Sequence, residues 1–235
     1  EKLFLVEGDK IVQEVLNSDY TVEKLFATNS YLALNEQHCN KAKLFFEVSR
    51  DDIKKASLLN HPQSSMALCS IQYESDYPDE IGNNLTIYLD DIQDPGNLGT
   101  IIRVCDWFKI EYLFCSPKTV DFYNPKVIQA SMGSFSRVKI RYIPFEAVAN
   151  SARLSDTPIY GAFLQGENIY QEKLPQKAIV VMGNEGKGIQ KEIESRIERK
   201  LKIPEFSTDR ISAESLNVSV ATAIICSEFK RKLFV

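Results

Sequence analysis

The chain has 235 residues, 44% of them hydrophobic and 26% charged, with a formal net charge of −4. That is enough for one or two globular units with a sizeable core, and no apolar run approaches the roughly 20 residues that span a bilayer. No secretory signal is visible, and the acidic balance by itself argues mildly against a nucleic-acid partner.

The stretch KLFLVEG reads as a strand and DKIVQEVLNS as a helix with Ile11, Val15 and Leu16 on one face. The chain starts at Glu1, already strand-like, so a short preceding segment is expected. VEKLFATN and KLFFEV read as further strands. SRDDIKKASLL opens on Ser49, a helix cap, with acids in the first turn. SSMALCSIQY closes the series as a strand. Alternating strands and helices predict a small sheet covered by helices. Residues 74–84, ESDYPDEIGNN, carry Pro and Gly and lack periodicity. The expected organisation is a unit over 1–75, a linker over 76–83 and a second unit over 84–235.

The second unit alternates again. LTIYLD, IEYLFCS, RVKIRYI, PIYGAF, AIVVMG and RKLKIP read as strands. Helices are expected after Asn97, Asn124, Pro144 and Gly188, and a last one from about Ser215 to Lys232. This predicts an α/β fold with a mainly parallel, doubly wound sheet. Ligands bind such sheets at the carboxyl ends of the strands.

The cysteines Cys39, Cys69, Cys105, Cys115 and Cys226 form no CxxC pair and read as buried free thiols of a cytoplasmic protein. His38 and His61 read as solvated loop residues, and no cluster suggests a metal. Local basic clusters offset the acidic total. Lys118, Lys126, Arg137, Lys139 and Arg141 face only Asp121; Arg196, Arg199, Lys200 and Lys202 form a second group, and Lys230, Arg231 and Lys232 a third.

Three loops carry polar chemistry after strands. DPGNLG holds Asn97 between Gly96 and Gly99 and opens a helix with one arginine, Arg103, among Ile101, Ile102, Val104, Cys105, Trp107 and Phe108. VVMGNEGKGI sets Glu185 in a glycine-rich turn that fits neither a P-loop nor a Rossmann fingerprint. IPEFSTDRISAESLNVSVATAII leads into an apolar final helix, with Ser215 as its expected cap and Asn217 in its first turn.

Together, in this order, the three segments resemble the motifs of the SpoU-type RNA 2′-O-ribose methyltransferases of the SPOUT superfamily. The resemblance is strong over 83–235. Residues 1–75 resemble that family's N-terminal RNA-binding unit more loosely. The resemblance implies a sheet whose C-terminal part is threaded through a deep trefoil knot. It also implies a homodimer and S-adenosylmethionine bound near Met182, Gly183, Ile203, Pro204, Ser215 and Leu216. Arg103, Asn97, Glu185 and Asn217 would be the catalytic set, and structured RNA the substrate, ribosomal before transfer RNA. An arginine is effectively always protonated, so Arg103 suits stabilisation of charge on the ribose oxygen better than proton abstraction. The sequence departs from the family pattern twice: the loop over 205–214 is longer and has no Gly, and Gln129 stands where a basic residue is common. A catalytically silent RNA-binding protein of the same fold is the alternative; a Rossmann dehydrogenase lacks its fingerprint.

Overall fold

The computed structural model describes residues 2–72, 84–206 and 214–231. In the first unit, strands β1 (Leu3–Glu7), β2 (Val22–Ala27), β3 (Leu44–Glu47) and β4 (Ser65–Ser70) form a sheet in the order β1-β4-β2-β3. β4 runs antiparallel to both β1 and β2, and β3 runs parallel to β2. Helix α1 (Asp9–Leu16) buries Ile11, Val12, Val15 and Leu16, the predicted face plus Val12. Between β2 and β3 the chain forms two short helices the sequence reading did not anticipate, α2 (Asn29–Leu34) and α3 (Glu36–Cys39). His38 therefore lies on a half-buried helical turn rather than in a loop. Ser49 caps α4 (Arg50–Ala56) as expected: its hydroxyl accepts from Asp52 N, and Asp52 returns a bond from Ser49 N.

The second unit is built on six parallel strands. In chain order it runs β5 (Leu85–Leu89), α5 (Pro95–Trp107), β6 (Tyr112–Cys115), α6 (Pro125–Ser131), β7 (Lys139–Tyr142), α7 (Phe145–Leu154), β8 (Ile159–Asn168), β9 (Ala178–Met182), α8 (Lys191–Glu194), β10 (Arg199–Lys202) and α9 (Val218–Arg231). The sheet order is β10-β8-β9-β5-β6-β7. β5 and β9 lie at its centre with every residue buried, which is why both read as apolar runs, interrupted only by Thr86 in β5. β6 and β7 follow β5 outward on one side of the sheet, and β9, β8 and β10 lie in that order on the other. The switch falls between β5 and β9, where such sheets hold ligands. The crossing that the knot requires involves the connection from β10 to α9, and residues 207–213 of it lie outside the described residues. So do the linker residues 76–83 and Lys232.

Helix α5 packs against α6 and α9. Its Leu98, Ile101, Ile102 and Cys105 are fully buried, and each buried aliphatic contributes roughly 1.5–3 kcal/mol of hydrophobic stabilisation. Gly99 is the contact point with α6. A Cβ there would lie 2.5 Å from Ala130 Cβ and 2.9 Å from Val127 O. The backbone approach that this glycine permits is to a neighbouring helix.

The two units share one core. Phe4 and Tyr20 pack against Tyr123 and Phe135, with centroid separations of 4.7 Å for the tilted Phe4–Tyr123 pair and 5.5 Å for the edge-on Tyr20–Phe135 pair. Arg137 bridges them, reaching Glu14 of α1 at 2.6 Å and Asp106 of α5 at 2.9 Å. Much of the basic clustering is spent this way inside the chain. Lys139 pairs with Glu111, Arg196 with Glu146, Arg199 with Glu167 and Glu172, Lys200 with Glu194, and Arg231 with Glu228. The clusters are therefore less of a free cationic surface than their sequence suggests. All five cysteines are free and buried. Among the described residues no helix is long and apolar enough to cross a membrane, and no group of ligating side chains could hold a metal ion.

Candidate active site

β5 ends at a fully buried carboxylate, Asp90, followed by Asp91 in the left-handed region (φ 60°). The chain then enters α5, capped by Asp94, whose Oδ1 accepts from Asn97 N at 2.8 Å. Pro95 takes the first helical position, so the helix starts three residues earlier than expected and Asn97 sits in its first turn.

β9 delivers the second loop. Asp90 N donates to Met182 O, so the two strand ends are tied together. Gly183 then admits no side chain: a Cβ would lie 2.5 Å from Ile189 N, because the loop over 183–190 closes on itself. Asn184 and Gly188 exchange backbone hydrogen bonds at 3.1 and 2.9 Å. The Asn184 side chain donates to Asp91 O and accepts from the amides of Gly186 and Lys187. At the far end, Asp90 accepts from Gln190 N at 2.7 Å and from its side-chain amide at 2.5 Å. The loop is thus pinned to β5 at both ends, with Glu185 at its tip.

The third segment begins α9. The sequence pointed to Ser215 as the cap, but the helix starts at Val218 and Asn217 caps it. Asn217 Oδ1 accepts from Ser219 N (2.9 Å), Ser219 Oγ (2.6 Å) and Val220 N (3.4 Å). Ser215 lies before the helix, exposed.

These three loops meet in one hydrogen-bonded chain. Asn217 Nδ2 donates to Asn97 Oδ1 at 2.8 Å, and Asn97 Nδ2 donates to Glu185 Oε1 at 2.7 Å. Arg103 lies outside this chain. It is six residues beyond Asn97, hence about 9 Å along the helix and about 120° around it. It falls on an exposed stripe with Gly96, Thr100 and Trp107, and among the described residues nothing pairs with it.

The expected cofactor residues flank the same strand ends. Met182 is buried, Gly183, Ile203 and Pro204 are half-buried, and Ser215 and Leu216 are exposed. Phe206 and Leu216 leave large apolar surfaces uncovered there, and a Cβ at Gly188 would meet nothing within 4 Å. Apolar side chains beside glycine-rich backbone suit a purine nucleoside, and nothing among these residues calls for a metal. Sequence reasoning missed Asp90, Asn184 and Ser219. Asp90 was findable as an acid closing a strand that is apolar except for Thr86; the other two are ordinary loop and helix residues by sequence.

Comparison with known proteins decides the family. A model described as the SpoU rRNA Methylase family matches residues 84–227, and one described as an MRM3-like substrate binding domain matches residues 1–67. The chain belongs to the SpoU rRNA methylase family. This SpoU chain is 27% identical over 224 residues to the 23S rRNA (guanosine(2553)-2′-O)-methyltransferase RlmP of Bacillus subtilis, covering 94% of this chain and 86% of that one. A TrmH-family protein from Porphyromonas gingivalis superposes with a TM-score of 0.83 at 36% identity, over 98% of this chain and 90% of its own. The AdoMet-bound rRNA methyltransferase from Sinorhizobium meliloti superposes with a TM-score of 0.85 at 26% identity, over 99% and 88%. The SpoU fold expected from the three motifs is thus the fold observed.

Proposed function

We propose that this chain methylates a ribose 2′-hydroxyl of structured RNA, ribosomal RNA before transfer RNA. The observation that carries the reading is the convergence of Asn97, Glu185 and Asn217 beside the ends of β5 and β9, with Asn97 on α5, the helix that also bears Arg103. S-adenosylmethionine, when bound, supplies an electrophilic methyl group on a sulfonium. Met182, Gly183, Ile203, Pro204, Ser215 and Leu216 would hold it.

The remaining work falls to the chain's own side chains. A hydroxyl is a weak nucleophile, so negative charge developing on its oxygen needs a preorganised donor. Arg103 is permanently charged, exposed and unpaired among the described residues. It is the group for that oxygen and for an adjacent phosphate. Asn97 and Asn217 fix the position of Glu185.

Arg103 is turned about 120° from the relay, which favours a site completed by a second copy of the chain. Trp107 is 85% exposed on α5, and Leu216 and Val220 are about half exposed at the start of α9, the helix packed on α5. Such apolar surface is interface material, and we assign it to a homodimer. The unit over 1–75 reads RNA shape, the unit over 84–235 carries the chemistry, and the protein works in the cytoplasm.

The test is transfer of tritiated methyl from labelled cofactor to ribosomal and transfer RNA, followed by mapping of the modified nucleoside. A 2′-O-methylated nucleoside is expected. Transfer to a base, or none to either RNA, overturns the reading.

A further inference from the structure

The sheet of the first unit has two faces, and the fold covers them unequally. The register puts Phe4, Val6, Leu25 and Ala67 on one face, all buried. Phe4 of that face packs on Tyr123 and Phe135 of the second unit. The opposite face, turned away from the unit that carries the chemistry, holds Leu5, Leu68, Lys24 and Phe26, all half-buried. Beside them on the edge strand β3 lie Leu44 and Phe46, 53% and 42% exposed. Helix α4 and the turn after it reach only the end of this face, where Glu7 accepts from Ser57 Oγ and from Leu58 N at 3.2 Å.

An aliphatic face alone would suit a protein partner as well as RNA. Three features of this one favour unpaired RNA. The Phe26 and Phe46 rings are stacked, with centroids 5.2 Å apart and planes 15° from parallel, so an aromatic plane is already held at the open edge. Lys24 stands between Leu44 and Leu68 in the middle of the face, and its ammonium has no partner among the described residues; neither do Arg50 and Lys54 of α4. The acids that border the face are all engaged by donors of this chain: Glu7 as above, Glu23 by Lys43 at 2.8 Å and Ser70 Oγ at 2.5 Å, and Glu47 by Asn29 at 3.2 Å. The free charge beside the apolar surface is therefore positive, which matches a polyanion with stackable bases.

Resting on the proposed function above, we propose that this outer sheet face holds a single-stranded segment of the RNA substrate, remote from the nucleotide that is methylated. A base stacks on Phe46, which Phe26 backs; the next lies over Leu44 and Leu68, and Lys24 takes a phosphate. A duplex hides the faces of its bases, so paired RNA gains nothing here. Contacts this far from the reacting atoms are equal in the ground state and the transition state, so they act on KM and leave kcat alone.

The test is fluorescence anisotropy of the full chain with a labelled single-stranded oligoadenylate and with an RNA duplex of the same length. Phe46→Ala should weaken oligoadenylate binding about tenfold and leave duplex binding unchanged, while Phe46→Tyr keeps the wild-type affinity. Lys24→Gln should lower the slope of log affinity against log salt by about 0.7. Leu44→Glu, at an exposed position, should weaken oligoadenylate binding without a change in melting temperature, and it decides the matter if Phe46→Ala proves unstable. In methyl transfer to ribosomal RNA, Phe46→Ala should raise KM and keep kcat. No oligoadenylate binding by the wild type, or wild-type affinity in both Phe46→Ala and Leu44→Glu, overturns the proposal. So does a lower solution mass of Leu44→Glu by light scattering, which gives the face to a second copy of the chain. Absence of methyl transfer by the wild type overturns the function instead, because the oligoadenylate measurement needs no methyl donor.

Discussion

Asn217 donates to Asn97 across 120 positions of sequence, and Asn97 donates in turn to Glu185 across 88. Asn97 is the member that joins the other two, bonded to Asn217 on one side and Glu185 on the other. Asn97→Ala removes both bonds at once and leaves the α5 cap intact, because Asp94 accepts from the backbone amide of residue 97. The expected result is a fall in kcat of about 10²–10³. Cofactor-product affinity should change little, since Asn97 is absent from the expected cofactor set. Steady-state kinetics together with calorimetry separate the two effects.

Arg103 makes no bond among the described residues, so its loss costs the fold little. Arg103→Ala should lower methyl transfer by about 10³ or more while melting temperature and S-adenosylhomocysteine binding persist. Arg103→Lys keeps the charge but loses the planar fork, and should recover only part of the rate. Near-wild-type turnover in Arg103→Ala would remove this residue from the mechanism.

The sequence made the strands visible because the central ones are apolar at every position but Thr86, and the helices carry local caps. Ser49 was readable as a cap because its partner, Asp52, lies three residues away. Asn217 was harder: Ser215 offered an equally good cap, and only the backbone geometry of residue 218 onward decides between them. The short helices α2 and α3 have too few residues to show a period. The candidate residues of the site could be named from their motifs, but their order could not. No local pattern says that Asn97 stands between Glu185 and Asn217, or that Arg103 points elsewhere. The basic clusters misled for the same reason: Arg199 and its acids Glu167 and Glu172 are far apart in sequence and adjacent in space.

Gly99 carries a structural prediction separate from the chemistry. Its missing side chain lets α5 approach α6, and a methyl group would overlap Ala130 Cβ at 2.5 Å and the Val127 carbonyl at 2.9 Å. Backbone on both sides leaves little room to yield. Gly99→Ala should destabilise by about 1–3 kcal/mol, overriding the better helix propensity of alanine. Urea unfolding gives the number. A stabilised variant would show that the helices can separate.

The buried thiols set a pH limit. Burial pushes Cys69 and Cys226 up to about 12, and raises Cys105 and Cys115 well above the ordinary thiol range. In the unfolded chain these thiols ionise near pH 8.5. The folded state therefore holds more protons above that point, and stability falls as pH rises from about 9 toward 12. Below pH 8 the thiols are neutral in both states and contribute no slope. Melting temperature should be flat with respect to these groups below pH 8 and decline above 9. The same burial predicts slow reaction with a thiol reagent at pH 8 until the protein is denatured.

Arg137 joins the two units through Glu14 and Asp106, and the aromatic contacts of Phe4, Tyr20, Tyr123 and Phe135 lie alongside. The arginine is half exposed, so its pairs contribute on the order of 1 kcal/mol or less to stability. Its effect on geometry is larger than its effect on stability. It connects α1 of the unit matched to a substrate-binding domain with α5, the helix of Asn97 and Arg103. Arg137→Ala should raise KM for RNA several-fold, leave cofactor affinity unchanged, and lower kcat only modestly. A matching drop in affinity on RNA fragments too short to touch both units would show that Arg137 contacts RNA directly instead. The Glu14→Gln variant separates the cases further, because it weakens the bridge while freeing the guanidinium, and should raise KM only if the bridge itself is what matters.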